Sequence, residues 1–327
     1  MRIGMESFTF RDQRFDPFQA LDRVKSLGLD GLQGGVGSVD TPESTARCRE
    51  AKAYADSLGL YTEIAVDTLN PLSAAAPRAE HLARLQRQIE NAASVGWREL
   101  HTWCGGPDAR ARTDLAWGEQ MRETERFLRD LAPALRHCGS RVNIEPKGGV
   151  TTFDAVRLIA AVGADVVGVC LDTANTLCFA EEPVRAARRV APYVHMTHCK
   201  DAIVWFEGNG IRRQVRPLGG GVIDWPRLLG VLAECSPDLT LSIEDHKWLF
   251  DVPLFDPAWV NAVDGLCAAE LGEVVGLAWR CTEGIAARRI EDPEAYEAVP
   301  WLDQMDARIA FSRETLRQAV AALRERR

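Results

Sequence analysis

Four side chains able to hold a metal stand at the ends of short apolar runs. They are Glu145 in Asn143-Ile144-Glu145-Pro146-Lys147, Asp172 in Cys170-Leu171-Asp172-Thr173-Ala174-Asn175, His198 in His195-Met196-Thr197-His198-Cys199-Lys200-Asp201, and Glu244 in Leu241-Ser242-Ile243-Glu244-Asp245-His246. Taken singly, such a residue is more often a helix cap, a surface charge or a hydrogen-bonded core histidine, and Asp172 before Thr173 reads equally well as a cap. Capping does not require four of them at four run ends. Three carboxylates and one imidazole suit a hard-to-borderline dication, with Mn²⁺ the first expectation and Mg²⁺, Co²⁺ or Zn²⁺ the others. Such an ion polarises a carbonyl or enediolate while carboxylates exchange protons. Two glutamates flanking one carbon serve as acid and base when burial near the ion separates their proton affinities. Lys147 and His246 each follow a candidate glutamate by two residues. By the period of an extended chain they face the same way, adding a cation and an acid/base group.

The elements that must position these groups follow a repeating rhythm of apolar run, polar turn and amphipathic helix. Strand-like runs lie at Ile3–Thr9, Gly31–Gly35, Tyr61–Val66, Glu99–Cys104, Arg141–Glu145, Val166–Asp172, Tyr193–His198 and Leu239–Glu244. Helical patterns occupy Glu43–Leu58, Ala79–Val95, Trp117–Cys138 and Thr152–Val162, and Trp301–Leu323 has the spacing of a last helix. Strands alternating with helices predict βαβ units and a parallel sheet, and eight of them predict closure into a (β/α)8 TIM barrel. Within the runs, Asn143 and Glu145 alternate with Val142 and Ile144, and Thr240, Ser242 and Glu244 with Leu241 and Ile243. A polar row should therefore face the barrel axis and an apolar row the helices. No G-x-G-x-x-G follows the first run, which removes the main support for a dinucleotide-binding fold.

Two stretches interrupt the rhythm, and both fall where the loops of a barrel's active face belong. Ala202–Asp224 reads as a long loop or hairpin with a turn at Asn209-Gly210, and His246 to Pro300 follows the eighth strand. Neither resembles a linker, so residues 1–327 are expected to form one α/β domain with long loops after strands seven and eight.

Composition narrows the partners. The 327 residues carry 39 Lys and Arg against 47 Asp and Glu, a net charge of −8 without a basic tail. That balance disfavours nucleic acid or an anionic membrane as partner and does not exclude a small substrate, even a phosphorylated one, which needs only a local cluster of positive charge. The start lacks the apolar stretch of a signal peptide, and nowhere do about 18 apolar residues run together. Nine scattered cysteines, never spaced C-x-x-C, argue against a disulfide framework or structural zinc site and fit reduced cytoplasmic thiols.

Glu145, Leu171-Asp172-Thr173, His198-x-Lys200-Asp201, Pro217-Leu218-Gly219-x-Gly221-Val222-Ile223-Asp224 and Ser242-Ile243-Glu244 together resemble the xylose isomerase-like sugar-phosphate isomerase/epimerase superfamily. The resemblance spans nearly the whole chain and is strongest from Arg141 to His246. It implies one divalent ion held by Glu145, Asp172, His198 and Glu244, with Glu145 and Glu244 also the proton-transferring pair. It implies an isomerase or epimerase of a keto-sugar or related polyol, and a homo-oligomer, in some relatives paired with a small second subunit.

The departures open other readings. Asn175 stands where the epimerases usually place a substrate-binding His, and no Arg follows the strand-seven His closely. Lys147 and His246, added to the catalytic candidates, suit a metal-dependent lyase on an oxidised, 3-oxo sugar derivative. A barrel that binds without catalysing is a third reading, against which the complete ligand set counts. Asn175, Lys200, Trp103 and His101 are the candidates for holding substrate. Trp205 and Trp248 are candidates for walling the site; Arg212, Arg213 and Arg216 could bind phosphate or a partner, but three arginines in a loop more commonly form a solvated face.

Overall fold

The computed structural model describes residues 1–106, 109–112 and 114–325. In chain order the strands are β1 (Arg2–Glu6), β2 (Gly31–Gln33), β3 (Tyr61–Ala65), β4 (Glu99–Thr102), β5 (Arg141–Ile144), β6 (Val167–Asp172) and β7 (Val194–Cys199). A hairpin of β8 (Asp201–Glu207) and β9 (Gly210–Arg216) follows, then β10 (Thr240–Ile243) and β11 (Leu249–Val252). Strands β1 to β7 and β10 are parallel and close on themselves in the order β1-β10-β7-β6-β5-β4-β3-β2. This is a (β/α)8 barrel, and all eight of its strands coincide with the runs read from sequence.

The barrel helices are α1 (Pro17–Ser26), α2 (Pro42–Ser57), α3 (Arg78–Val95), α4 (Trp117–Cys138), α5 (Thr152–Val162), α6 (Pro183–Val190) and α7 (Trp225–Cys235). Local chemistry starts them where they must start. Asp16, Thr41 and Thr151 close capping boxes, and Pro17 and Pro42 occupy first-turn positions where a missing N–H costs nothing. Val142, Ile144, Leu241 and Ile243 are fully buried in the core that the strands share with the helices.

The other face of the strands forms a polar column along the barrel axis. Asn143 donates to Glu99 (2.8 Å), Thr240 donates to Glu63 (2.6 Å) and Tyr61 shares a proton with Ser242 (3.0 Å). Burial pushes Glu63 up to about 7. These bonds pair most of the column, as a dry polar interior requires, although the Asn143 Oδ1 finds no partner among the described residues.

Both insertions fold into regular structure. Strand β9 is the centre of a three-stranded antiparallel sheet ordered β11-β9-β8, so the two insertions build one sheet between them. The hairpin turn is Gly208-Asn209, with Gly208 at φ +53°, one residue earlier than the expected Asn209-Gly210; Gly210 already pairs with Glu207. The second insertion continues through α8 (Pro257–Asn261), α9 (Ala268–Ala286) and α10 (Pro293–Ala298) before the long last helix α11 (Trp301–Glu325). Helix α9 packs on β8 through Ile203, Trp205 and Cys281.

One carboxylate ties the hairpin back to the barrel. Asp201 accepts from the backbone N–H of Ala202, Gly219 and Ile223 (2.8, 2.9 and 3.2 Å) and from the Trp225 indole (2.9 Å). A Cβ on Gly221 would lie 2.1 Å from Asp201 Oδ1, so the approach excludes any side chain there. The motif running from Pro217 to Asp224 is thus the cradle of Asp201.

Candidate metal centre and its pocket

Barrel register brings the four strand-end residues together. Asp172 lies opposite His198 across β6 and β7, Ser242 lies opposite His198 across β10 and β7, and Glu145 follows β5 by one residue. One ligand atom from each of Glu145, Asp172, His198 and Glu244 lies within 4.8 Å of all the others, and all four side chains are buried. His198 Nδ1 is 3.0 Å from Glu244 Oε2 and 3.4 Å from Glu145 Oε1. Yet His198 Nδ1 and Glu244 Oε2 make no well-formed hydrogen bond, although such atoms are seldom left orphaned when buried. Their 3.0 Å separation is that of neighbouring ligands around an octahedral ion at about 2.1 Å. The donor set and its orphan atoms fit a divalent cation.

Surrounding groups fix each ligand. The Gln33 amide, oriented so that both its ends are satisfied, accepts from His198 Nε2 (3.0 Å) and donates to Thr197 O and Ser242 Oγ (3.0 Å each). Holding the proton on Nε2 leaves Nδ1 as the ligand atom. Asp172 Oδ1 accepts from the backbone of Ala174 and Asn175 (3.1 and 2.9 Å), so it caps the following turn while its Oδ2 meets Lys200 Nζ (2.7 Å). Lys200 also touches Glu244 Oε1 (2.8 Å), where His246 Nε2 arrives at 3.2 Å. On the opposite side Glu145 Oε2 meets His101 Nε2 (2.9 Å) and Lys147 Nζ (2.5 Å), and its Oε1 accepts from Asn175 Nδ2 (3.3 Å).

These contacts set the charges. Burial alone would raise Glu145 and Glu244. Lys147 and His198 beside the first, and Lys200, His198 and His246 beside the second, outweigh it and hold both well below the usual carboxylate range. Asp172 goes the other way: burial raises it more than Lys200 lowers it. Burial pushes His101 down to about 4, so it is neutral and donates its N–H to Glu145. Glu6, at the end of β1, is raised to about 7 by burial and by the Glu244 charge.

A cavity of about 370 Å³ opens above the cluster at the C-terminal mouth of the barrel. Every residue singled out from sequence as catalytic or substrate-holding (Glu145, Glu244, Lys147, His246, Asn175, Lys200, Trp103 and His101) lines it. Lys147 Nζ sits 5.2 Å from the Trp103 ring centre, and Trp248 stands against His246. Two expectations need correction. Trp205 does not wall the site; it is buried beneath α9, and its indole N–H meets Glu207 (3.2 Å). The three loop arginines are not a solvated face. Arg212 pairs with Asp251 at the surface, but Arg216 is buried against Tyr296 and Arg213 is buried and lines the cavity. They lie on a strand, where successive side chains take opposite sides, and a loop reading hides that alternation.

Sequence reasoning missed Gln33, Glu6, Phe8, Phe179 and Phe250. Glu6 ends its strand with an ionisable group, a signal that was available.

Residues 21–251 match the family described as the xylose isomerase-like TIM barrel. The chain belongs to that family. Among solved structures, an L-ribulose 3-epimerase superposes with a TM-score of 0.63 at 17% identity, covering 99% of this chain and 96% of that one. A 3-keto-D-glucoside 4-epimerase from E. coli gives 0.57 at 16%, covering 84% and 99%. A xylose isomerase-like TIM barrel protein from Mycobacterium smegmatis in complex with magnesium gives 0.56 at 17%, covering 83% and 97%. At these identities the likeness is one of fold. No protein of curated function matches the sequence.

Proposed function

We propose that this xylose isomerase-like barrel is a divalent-metal-dependent isomerase or epimerase of a keto-sugar or related polyol. The observation that carries the reading is the buried convergence of Glu145, Asp172, His198 and Glu244, with two unsatisfied ligand atoms, beneath an open pocket. When bound there, the ion supplies Lewis acidity to a carbonyl and its neighbouring hydroxyl.

The chain's own residues do the rest. Glu145 and Glu244 flank the cluster as carboxylates, one positioned to take a proton from the carbon beside the carbonyl and the other to return one. Each touches a group that can hand it a proton: Lys147 on Glu145 Oε2, His246 on Glu244 Oε1. His101 and Asn175 fix the orientation of Glu145. Lys200 is engaged by two carboxylates and serves to hold them in place. Trp103, Phe8 and Trp248 wall the pocket and keep bulk water from the reacting carbon.

Metal-loaded protein incubated with keto-sugars in D₂O should exchange the proton beside the carbonyl, read by NMR. Glu244→Gln should lower the exchange at least ~10³-fold with the fold intact. Substantial exchange remaining in that variant sinks the assignment of Glu244.

The added protic pair, Lys147 and His246, favours one second reading: a lyase on a 3-oxo sugar derivative. It shares the first proton abstraction and differs in the bond that then breaks. A cleaved aglycone, a dehydrated product or CO₂ in place of a stereoisomer would select it.

A further inference from the structure

Arg213 is the unusual cation of the pocket. Its side chain is among the largest fully buried ones, at 2% exposure, and it lines the cavity beside the metal cluster. A guanidinium cannot shed its proton to escape burial, so it needs an anion or several acceptors. Other buried arginines have such partners. Arg308 is held by Asp245 (2.9 Å), and Arg216 lies on the Tyr296 ring and 3.9 Å from Glu291. In the pocket itself, Lys147 is neutralised by Glu145, and Lys200 by Asp172 and Glu244. Among the described residues Arg213 has no carboxylate within ion-pair distance. Its one hydrogen bond to them goes to the amide oxygen of Asn175 (3.3 Å), and its Nε finds no partner among them.

The sheet that carries Arg213 makes this an exact placement of a costly group. Arg213 sits on β9, the central strand, opposite Val204 on one side and Phe250 on the other. Asn175 then spans from Arg213 to Glu145, donating to the carboxylate with one end of its amide and accepting from the guanidinium with the other. One amide's width separates the proton-transfer site from an unneutralised fork of donors. Guanidinium forks match carboxylate and phosphate oxygens two at a time.

We infer that Arg213 is the receptor for an anionic group, a carboxylate or phosphate, on the substrate, so that the enzyme takes an acidic sugar rather than a neutral one. This rests on the keto-sugar reading and narrows it.

The test is equilibrium binding by titration calorimetry on metal-loaded protein, with D-fructose, D-fructose 6-phosphate and 5-keto-D-gluconate as probes. The expected result is at least tenfold tighter binding of one or both acidic probes than of fructose. The phosphate and carboxylate arms tell the two anions apart. Arg213→Gln should remove that preference, the acidic probes then binding no tighter than fructose does; Arg213→Lys, which keeps the charge without the fork, should keep part of it. Ligand-free Arg213→Met should melt no lower than wild type, because an unneutralised buried charge stabilises nothing. In wild type, raising the salt concentration should weaken the acidic probe and not fructose, a readout that needs no variant. Equal binding of all three ketoses, or a preference that survives Arg213→Gln, overturns the inference and leaves the sugar reading standing. No binding of any ketose overturns both.

Discussion

His198 offers Nδ1 to the ligand cluster because Gln33 accepts from its Nε2 on the far side. Such outer contacts tune affinity by fixing the tautomer and the ring plane. Gln33→Leu keeps the size and removes both ends of the bond. It should weaken Mn²⁺ binding by about 10- to 100-fold, measured by competition with a chelator, while the circular dichroism spectrum is unchanged. Unaltered affinity would mean that barrel packing alone orients the imidazole. The clustering of the four candidate ligands was legible in the sequence, since each stands at the end of an apolar run and a two-residue period says which neighbours share its side. Gln33 was not singled out, because an amide at a run end has no chemistry of its own. Its role appears only when closure of the barrel sets β2 within reach of β7. Arg213 is among the residues named from sequence but reads there chiefly as solvated, because nothing local to a run of arginines distinguishes a buried one from an exposed one.

At the scale of elements, a second buried carboxylate ties helices rather than substrate. Glu181, just before α6, accepts from the Thr152 backbone (3.0 Å) and hydroxyl at the start of α5 and from Arg189 (2.8 Å), which also holds Glu270 of α9 (2.6 Å). Burial pushes Glu181 up to about 7, more than its hydrogen bonds and Arg189 lower it. Its affinity for a proton is therefore higher folded than unfolded, where the value is 4.5. The stability it contributes is complete below pH 4.5 and is lost as pH rises through 7. The loss amounts to about 3 kcal/mol at most. Glu181→Gln should flatten the fall of Tm between pH 4.5 and 7, as followed by differential scanning calorimetry. A slope identical to wild type would place the titration elsewhere. The barrel strands and the helices named from sequence emerged where their periodicity put them. The insertions resisted, because β11 takes its hydrogen bonds from β9, 35 to 41 residues earlier, and no local period records a partner that distant.

Across the whole molecule, the proposed metal site would couple ion binding to folding. A cation that binds the folded chain alone stabilises it by about 4 kcal/mol at a thousand times its dissociation constant. Stripping the protein with a chelator should lower Tm by several degrees, and excess Mn²⁺ should restore it. Asp172→Ala should contain no metal by mass spectrometry and should not respond to either treatment. A wild-type Tm indifferent to chelation and reconstitution would remove the basis for the mechanism. The closed barrel was readable from the count of alternating elements, whereas the pocket above it depends on how two distant insertions meet. That meeting has a consequence for inheritance and for engineering. The strand between the insertions, β9, draws hydrogen bonds from β8 on one edge and β11 on the other, and it bears Arg213. Grafting either insertion alone onto a sister barrel leaves a bare strand edge; only the pair, moved together, forms a transferable cassette. One wall of the pocket is thus built by a unit that is split in the gene and whole in space.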